Sequence, residues 1–145
     1  MPYLHLKPLW YPYRYIFESG KAIIDYSFDD LIFTKPFIVD CPKEEGEIIG
    51  IDDLKTAISP GQNIDLLIIR TGFYKYRSND VLKYTQRNPY LMPETAQWLK
   101  NNLCISITSF SHREIGKDIH KILLGNSYGN SALIIEDICL THEID

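Results

Sequence analysis

His120 and Glu136 are the residues whose types and spacing point most directly to chemistry. They bracket "HKILLGNSYGNSALIIE", in which a histidine opens a leucine-rich helical run and a glutamate closes a short apolar strand. An imidazole and a carboxylate brought together by a helix, a turn and a strand would make two metal ligands. The same residues also read as a half-covered helix position beside Ile119 and a charge at a strand end beside Asp137. A catalytic zinc needs about three protein ligands and an open position, so the pair alone falls short. Ser109 and Ser111 stand near His112, a hydroxyl-plus-imidazole arrangement. No Gly-x-Ser-x-Gly elbow surrounds them and no acid is placed to orient the histidine, which makes this a weak nucleophile signal.

Two aromatic-rich stretches could bind rather than react. "TGFYKYRSNDVLKYTQR" (residues 71–87) interleaves tyrosines with basic residues, and with Arg70 it sets five cations against Asp80. Such a mixture can hold single-stranded nucleic acid by stacking and charge. The net charge of −4 argues against that use and for an exposed loop with a short helix, its tyrosines covering the core edge. "LWYPYRYIF" (residues 9–17) has seven apolar or aromatic residues out of nine, the density of an interface core or of a strand packed on its own domain.

The elements that would position these residues alternate. Residues 31–41, "LIFTKPFIVDC", are rich in β-branched and aromatic side chains and predict a strand; Pro36 inside it points to an edge or a bulge. Residues 50–58, "GIDDLKTAI", predict a short helix with acidic residues at its positive end, stopped by "SPGQ". Residues 64–72, "IDLLIIRTG", are nearly continuously apolar, the pattern of a strand covered on both faces. Residues 92–103 predict a helix, with Pro93 where a missing N–H does no harm and Ala96, Leu99 and Leu103 at helical spacing. Residues 104–110 predict a strand, residues 113–125 a helix with an Ile115, Ile119, Ile122, Leu123 stripe ending at Gly125, and residues 131–140 a last strand. Strands alternating with helices indicate an α/β domain with parallel pairing.

The bulk composition narrows the function classes. A chain of 145 residues suits one domain with one core, spanning 1–145. The 45% hydrophobic and 23% charged shares are those of a globular protein, and the acidic balance disfavours nucleic acid as a partner. No apolar run is long enough to cross a bilayer, and residues 1–17 lack the uninterrupted apolar stretch of a signal peptide. Cys41, Cys104 and Cys139 are odd in number and show no CxxC spacing, which predicts reduced, mostly buried thiols in a cytoplasm.

The order of several segments resembles the cyclase family, which includes bacterial kynurenine formamidase and isatin hydrolase. The segments are "SGKAIIDYSFDDLIFTKPFIVDC", "GIDDLKTAI", "LLIIRTGFY", "PETAQWL", "HKILL" and "LIIED", and they run from about Ser19 to Leu140. The resemblance implies a single-domain swivelling β/β/α fold, a zinc or manganese ion, and metal-dependent hydrolysis of a small, often aromatic amide or lactam. It places His120 and Glu136 at the metal and Tyr74, Tyr76 and Tyr84 beside the pocket, where they would contact a small aromatic ligand. It also exposes departures. The family's His-x-x-x-His-x-Asp-x-Pro-x-His motif supplies three ligands and a base, but with Pro12 as the motif proline those positions hold Leu4, Pro8, Trp10 and Arg14. His5 is out of register. Thr108 stands where the family's Gly-Ile-Asp-Thr carries its aspartate, and "SYGN" (residues 127–130) looks like an insertion between His120 and Glu136. The chain ends at Asp145, before the C-terminal strands that family members add, so it resembles a shortened copy of the fold.

Two readings follow. One is a kynurenine formamidase-like hydrolase with a lost or incomplete metal site, binding metal weakly or not at all. The other is a non-catalytic binding or assembly protein on the same fold, a homo-oligomer, most simply a dimer, with Trp10 and Tyr13 as interface anchors.

Overall fold

The computed structural model describes residues 23–59, 61–103, 106–108, 116–125 and 133–135. Its centre is a parallel sheet of four strands: β1 (Pro36–Asp40), β3 (Leu66–Arg70), β5 (Ser106–Thr108) and β6 (Ile134–Ile135), in the order β1-β3-β5-β6. A second, two-stranded parallel sheet joins β2 (Ile48–Ile49) to β4 (Tyr90–Leu91). The helices are α1 (Ile51–Lys55), α2 (Val81–Gln86), α3 (Pro93–Asn102) and α4 (Gly116–Leu124), with three short 3-10 turns beside them. The expected α/β architecture is observed: a small, single mixed domain. Among the described residues no helix is long and apolar enough to cross a membrane.

The strand β3 sits between β1 and β5, and Leu66, Leu67, Ile68 and Ile69 are all buried. Successive side chains of a strand point to opposite faces, so four in a row can be buried only if both faces are covered. The continuous apolar run "LLII" has that cause. The strand β1 begins later than the sequence pattern suggests, at Pro36 rather than residue 31. The Asp65 carboxylate explains the difference: it accepts from the backbone N–H of Thr34 (2.6 Å) and of Lys35 (2.8 Å), and from the Thr34 hydroxyl (3.1 Å). Those amides are thereby withdrawn from a ladder. Pro36, which has no N–H to give, then opens the strand at one end of the described sheet.

Each strand of the small sheet runs straight into a helix. Gly50 is the residue before α1, and its N–H donates to the Asp53 carboxylate at 2.8 Å. Pro93 is the first residue of α3, as its missing donor permits. The helix α3 buries Ala96 and Leu99 and packs against α4, which buries Ile119 and Leu123. These four join Val39, Ile49, Leu54, Leu67, Ile69 and Leu91 in one apolar core. The Lys100 ammonium on α3 donates to the carbonyls of Ile122 (2.7 Å) and Gly125, closing the C-terminal end of α4. Burial pushes its pKa down, since little around it offsets the lost hydration.

Thr95, also on α3, is 1% exposed, and its hydroxyl has no hydrogen-bond partner among the described residues. A buried unpaired hydroxyl costs about 1–3 kcal/mol, and an isosteric methyl removes the cost. Thr95→Val is therefore expected to raise stability by about 1 kcal/mol, read as a higher urea midpoint with an unchanged slope. A lower midpoint would show that the hydroxyl has a partner.

Candidate functional site

In open parallel α/β sheets, ligands bind outside the carboxyl ends of the strands. Here the C-terminal ends of β1 and β3 carry Asp40 and Arg70, which are register partners. The guanidinium grips the carboxylate at two points, Nε to Oδ1 at 2.5 Å and an η nitrogen to Oδ2 at 2.9 Å. The Arg70 hydrogen bond holds the Asp40 carboxyl below its ordinary range, against a small opposing effect of burial. The chain then leaves both strands side by side, with the Cys41 N–H donating to the Arg70 carbonyl (3.0 Å) and the Lys43 N–H to that of Thr71 (3.1 Å).

Three side chains gather behind this edge. Cys41 is buried, and burial, reinforced by the nearby Asp53 charge, pushes its thiol up. It stays protonated at neutral pH and is a poor nucleophile. The Lys43 ammonium lies 3.0 Å from the Asp53 carboxylate. Burial works against the Asp53 charge, but the Gly50 N–H and Lys43 outweigh it, and the pKa is lowered. Lys43 is raised by its hydrogen bond to Asp53. The arrangement is a closed ion pair anchoring α1, with no group poised to exchange a proton near neutrality.

On the β3 side, Gly72 leads into a 3-10 turn, Phe73–Tyr76. Phe73 is fully buried; its ring lies 4.8 Å from that of Tyr76 and 6.5 Å from that of Tyr84. Tyr74 points outward, 54% exposed. Tyr76 is half-buried, with the Lys83 ammonium 3.9 Å above its ring. Of the three tyrosines expected at a ligand, Tyr74 is thus presented to solvent, while Tyr76 and Tyr84 are packed against Phe73.

His120 lies on α4 between buried Ile119 and exposed Lys121, half-buried itself. Its Nδ1 stands 2.6 Å from the Gly116 carbonyl. A carbonyl can only accept, so Nδ1 carries the proton and, in the neutral ring, Nε2 carries the lone pair. Metal-binding histidines are oriented in this way. Glu136, its expected companion, lies outside the described residues, as do Leu4, His5, Pro8, Trp10, Arg14, Ser109, Ser111 and His112. The backbone places Thr108 opposite Ile135, one residue before Glu136. Among the described residues no three His, Cys, Asp or Glu side chains form a group able to hold a metal ion.

The family model described as "Putative cyclase" matches residues 10–109, which is 100 of the 145 residues. The chain belongs to the cyclase family. The cyclase match takes in the Asp40–Arg70 edge and the aromatic turn, and it ends before His120 and Glu136. An uncharacterized protein of Haemophilus influenzae is 25% identical over 89 residues, covering 61% of this chain and 63% of that relative. The shared region is thus less than two thirds of that relative's length. No solved structure matches the chain.

Proposed function

We infer that this cyclase-family chain is a binding protein that does not by itself carry out the metal-dependent hydrolysis of small amides or lactams that the family resemblance implies. The observation that supports this reading is chemical. With Pro12 taken as the motif proline, the family's first metal motif falls on Leu4, Pro8, Trp10 and Arg14; with the last histidine on Tyr15 instead, the aspartate falls on Leu9 or Tyr11; and Thr108 stands in place of a second aspartate. Leucine, proline and tryptophan offer no donor to zinc or manganese, and arginine is always protonated. His120, with Nδ1 committed to Gly116, supplies one nitrogen. One imidazole, even joined by Glu136, is short of the set a catalytic zinc requires, so the donors do not fit the ion. A general base is missing from the motif as well, with Arg14 in its position.

The retained fold and its aromatic turn support binding of a small aromatic ligand near Tyr74 and Tyr76 at the C-terminal edge of the sheet. The purified full chain is expected to lose added zinc or manganese on gel filtration. It is also expected to leave N-formyl aromatic amides unhydrolysed above the buffer rate. Stoichiometric metal retained through the column, with turnover abolished by His120→Ala, would show instead that the chain is a working hydrolase.

A further inference from the structure

The segment that follows β3 is held in place by an unusual balance of forces. None of the six residues of α2 is buried. A helix this short does not persist on its own, because nucleation costs more than so few hydrogen bonds return. Asp80 caps it by accepting from the Lys83 N–H at 3.0 Å, and the Thr85 hydroxyl donates back to the Val81 carbonyl at 2.8 Å. These are local bonds and do not fix the helix to the domain. Toward the domain the segment offers the rings of Tyr76 and Tyr84, which lean on Phe73, and three of its four cations, Lys75, Lys83 and Arg87.

All three cations reach one acidic loop, the loop that follows β1. Lys75 pairs with Glu44 at 3.1 Å, while Lys83 and Arg87 converge on Glu45 at 3.7 and 2.6 Å. The Gly46 N–H adds a bond to the Arg87 carbonyl at 2.9 Å. Left-handed glycines mark both sides: Gly72, with φ of 75°, begins the segment, and Gly46, with φ of 68°, sits in the acidic loop. Space at either would admit a Cβ, so backbone conformation selects glycine there. Both loops leave the same edge of the sheet, because β1 and β3 are parallel.

We propose that residues 74–87 form a strap anchored behind buried Phe73 and latched to Glu44 and Glu45, whose release is controlled by ionic strength and by anions competing for Lys75, Lys83 and Arg87. Exposed ion pairs are individually weak and screened by salt, so the part of the segment beyond Phe73, which buries no residue and depends on several such pairs, opens well before the domain unfolds. Opening frees the faces of Tyr76 and Tyr84 at the sheet edge. Glu45 is the centre of the latch because it takes two of the three cations; Glu44 takes one.

Hydrogen exchange read by mass spectrometry on the full chain tests this. Between about 20 mM and about 500 mM salt the screening length falls from roughly 20 Å to roughly 4 Å. Amides of residues 77–87 are expected to exchange roughly tenfold faster at the higher salt, while those of β3 keep their rate. Glu45→Gln is expected to exchange fast in that segment already at low salt and to lose most of the salt response. Glu44→Gln is expected to do so less. Salt-independent exchange of residues 77–87, a Glu45→Gln variant with the full wild-type salt response, or equal acceleration in β3 would each overturn the latch.

Discussion

Leu67→Ala is expected to cost the fold about 3–4 kcal/mol, a large part of the 5–15 kcal/mol that holds a domain of this size together. Leu67 is fully buried in the middle of β3, where it pairs with Phe37 of β1 on one side and Ile107 of β5 on the other. It belongs to the apolar core that also contains Leu54, Leu91, Leu99 and Ile119 from all three core-packed helices and the small sheet. Removing three carbons there forfeits their transfer free energy. It also leaves a cavity that a strand bonded on both sides cannot collapse to fill. Thermal unfolding should shift down by roughly 10 °C, and the urea midpoint should fall in proportion. Leu67→Met, which conserves volume, should cost under about 1.5 kcal/mol. A Leu67→Ala loss below about 1 kcal/mol would mean that β3 is not the central buried strand.

That centrality was legible from residue types, because a strand covered on both faces has no polar alternation and "LLII" has none. Pro93 likewise marked the start of α3, since proline is tolerated at a first helical turn and few other places. The parallel pairing followed from the alternation of strands and helices. What the sequence concealed has physical reasons. The strands β2 and β4 are two residues each, too short for any period to show. The Asp65 carboxylate intercepts the amides of Thr34 and Lys35 from 31 and 30 residues away, which no local pattern around "LIFTKP" records. The Asp40–Arg70 grip depends on β1 and β3 pairing in parallel with those two residues in register. Arg87 and Glu45 are 42 residues apart, so the basic run in residues 71–87 read as a charge pattern in search of a partner, when its partner was the acidic loop after β1. The helix that carries His120 beside Ile119 was legible from its apolar stripe. Its hydrogen bond to Gly116 arises one helical turn away and is invisible to residue type alone.

Phe73→Ala is expected to cost about 3–5 kcal/mol and, in addition, to release the segment that follows it. The ring is fully buried although it stands in a four-residue turn directly after β3, where loops ordinarily expose their side chains. Its N–H donates to the buried Thr71 hydroxyl at 3.3 Å, which fixes the backbone at the point where the chain turns. The Tyr76 ring meets it at a tilted 58°, and the Tyr84 ring lies nearly parallel at 17°. Such ring pairs add roughly 0.5–1.5 kcal/mol each beyond the area they bury. Alanine removes the ring against which both tyrosines lean, and with it an apolar anchor that α2 has through Tyr84. The loss should therefore be larger than for Phe73→Leu, which keeps bulk but not ring contacts and should cost about 1–2 kcal/mol. Exchange in residues 77–87 should become fast at every salt concentration in Phe73→Ala, because ion pairs alone cannot hold a helix with no buried residue. Urea unfolding of the two variants, followed by far-ultraviolet circular dichroism, decides the question. If Phe73→Ala and Phe73→Leu unfold within about 0.5 kcal/mol of the wild type, the ring carries no core energy and the aromatic turn is surface decoration.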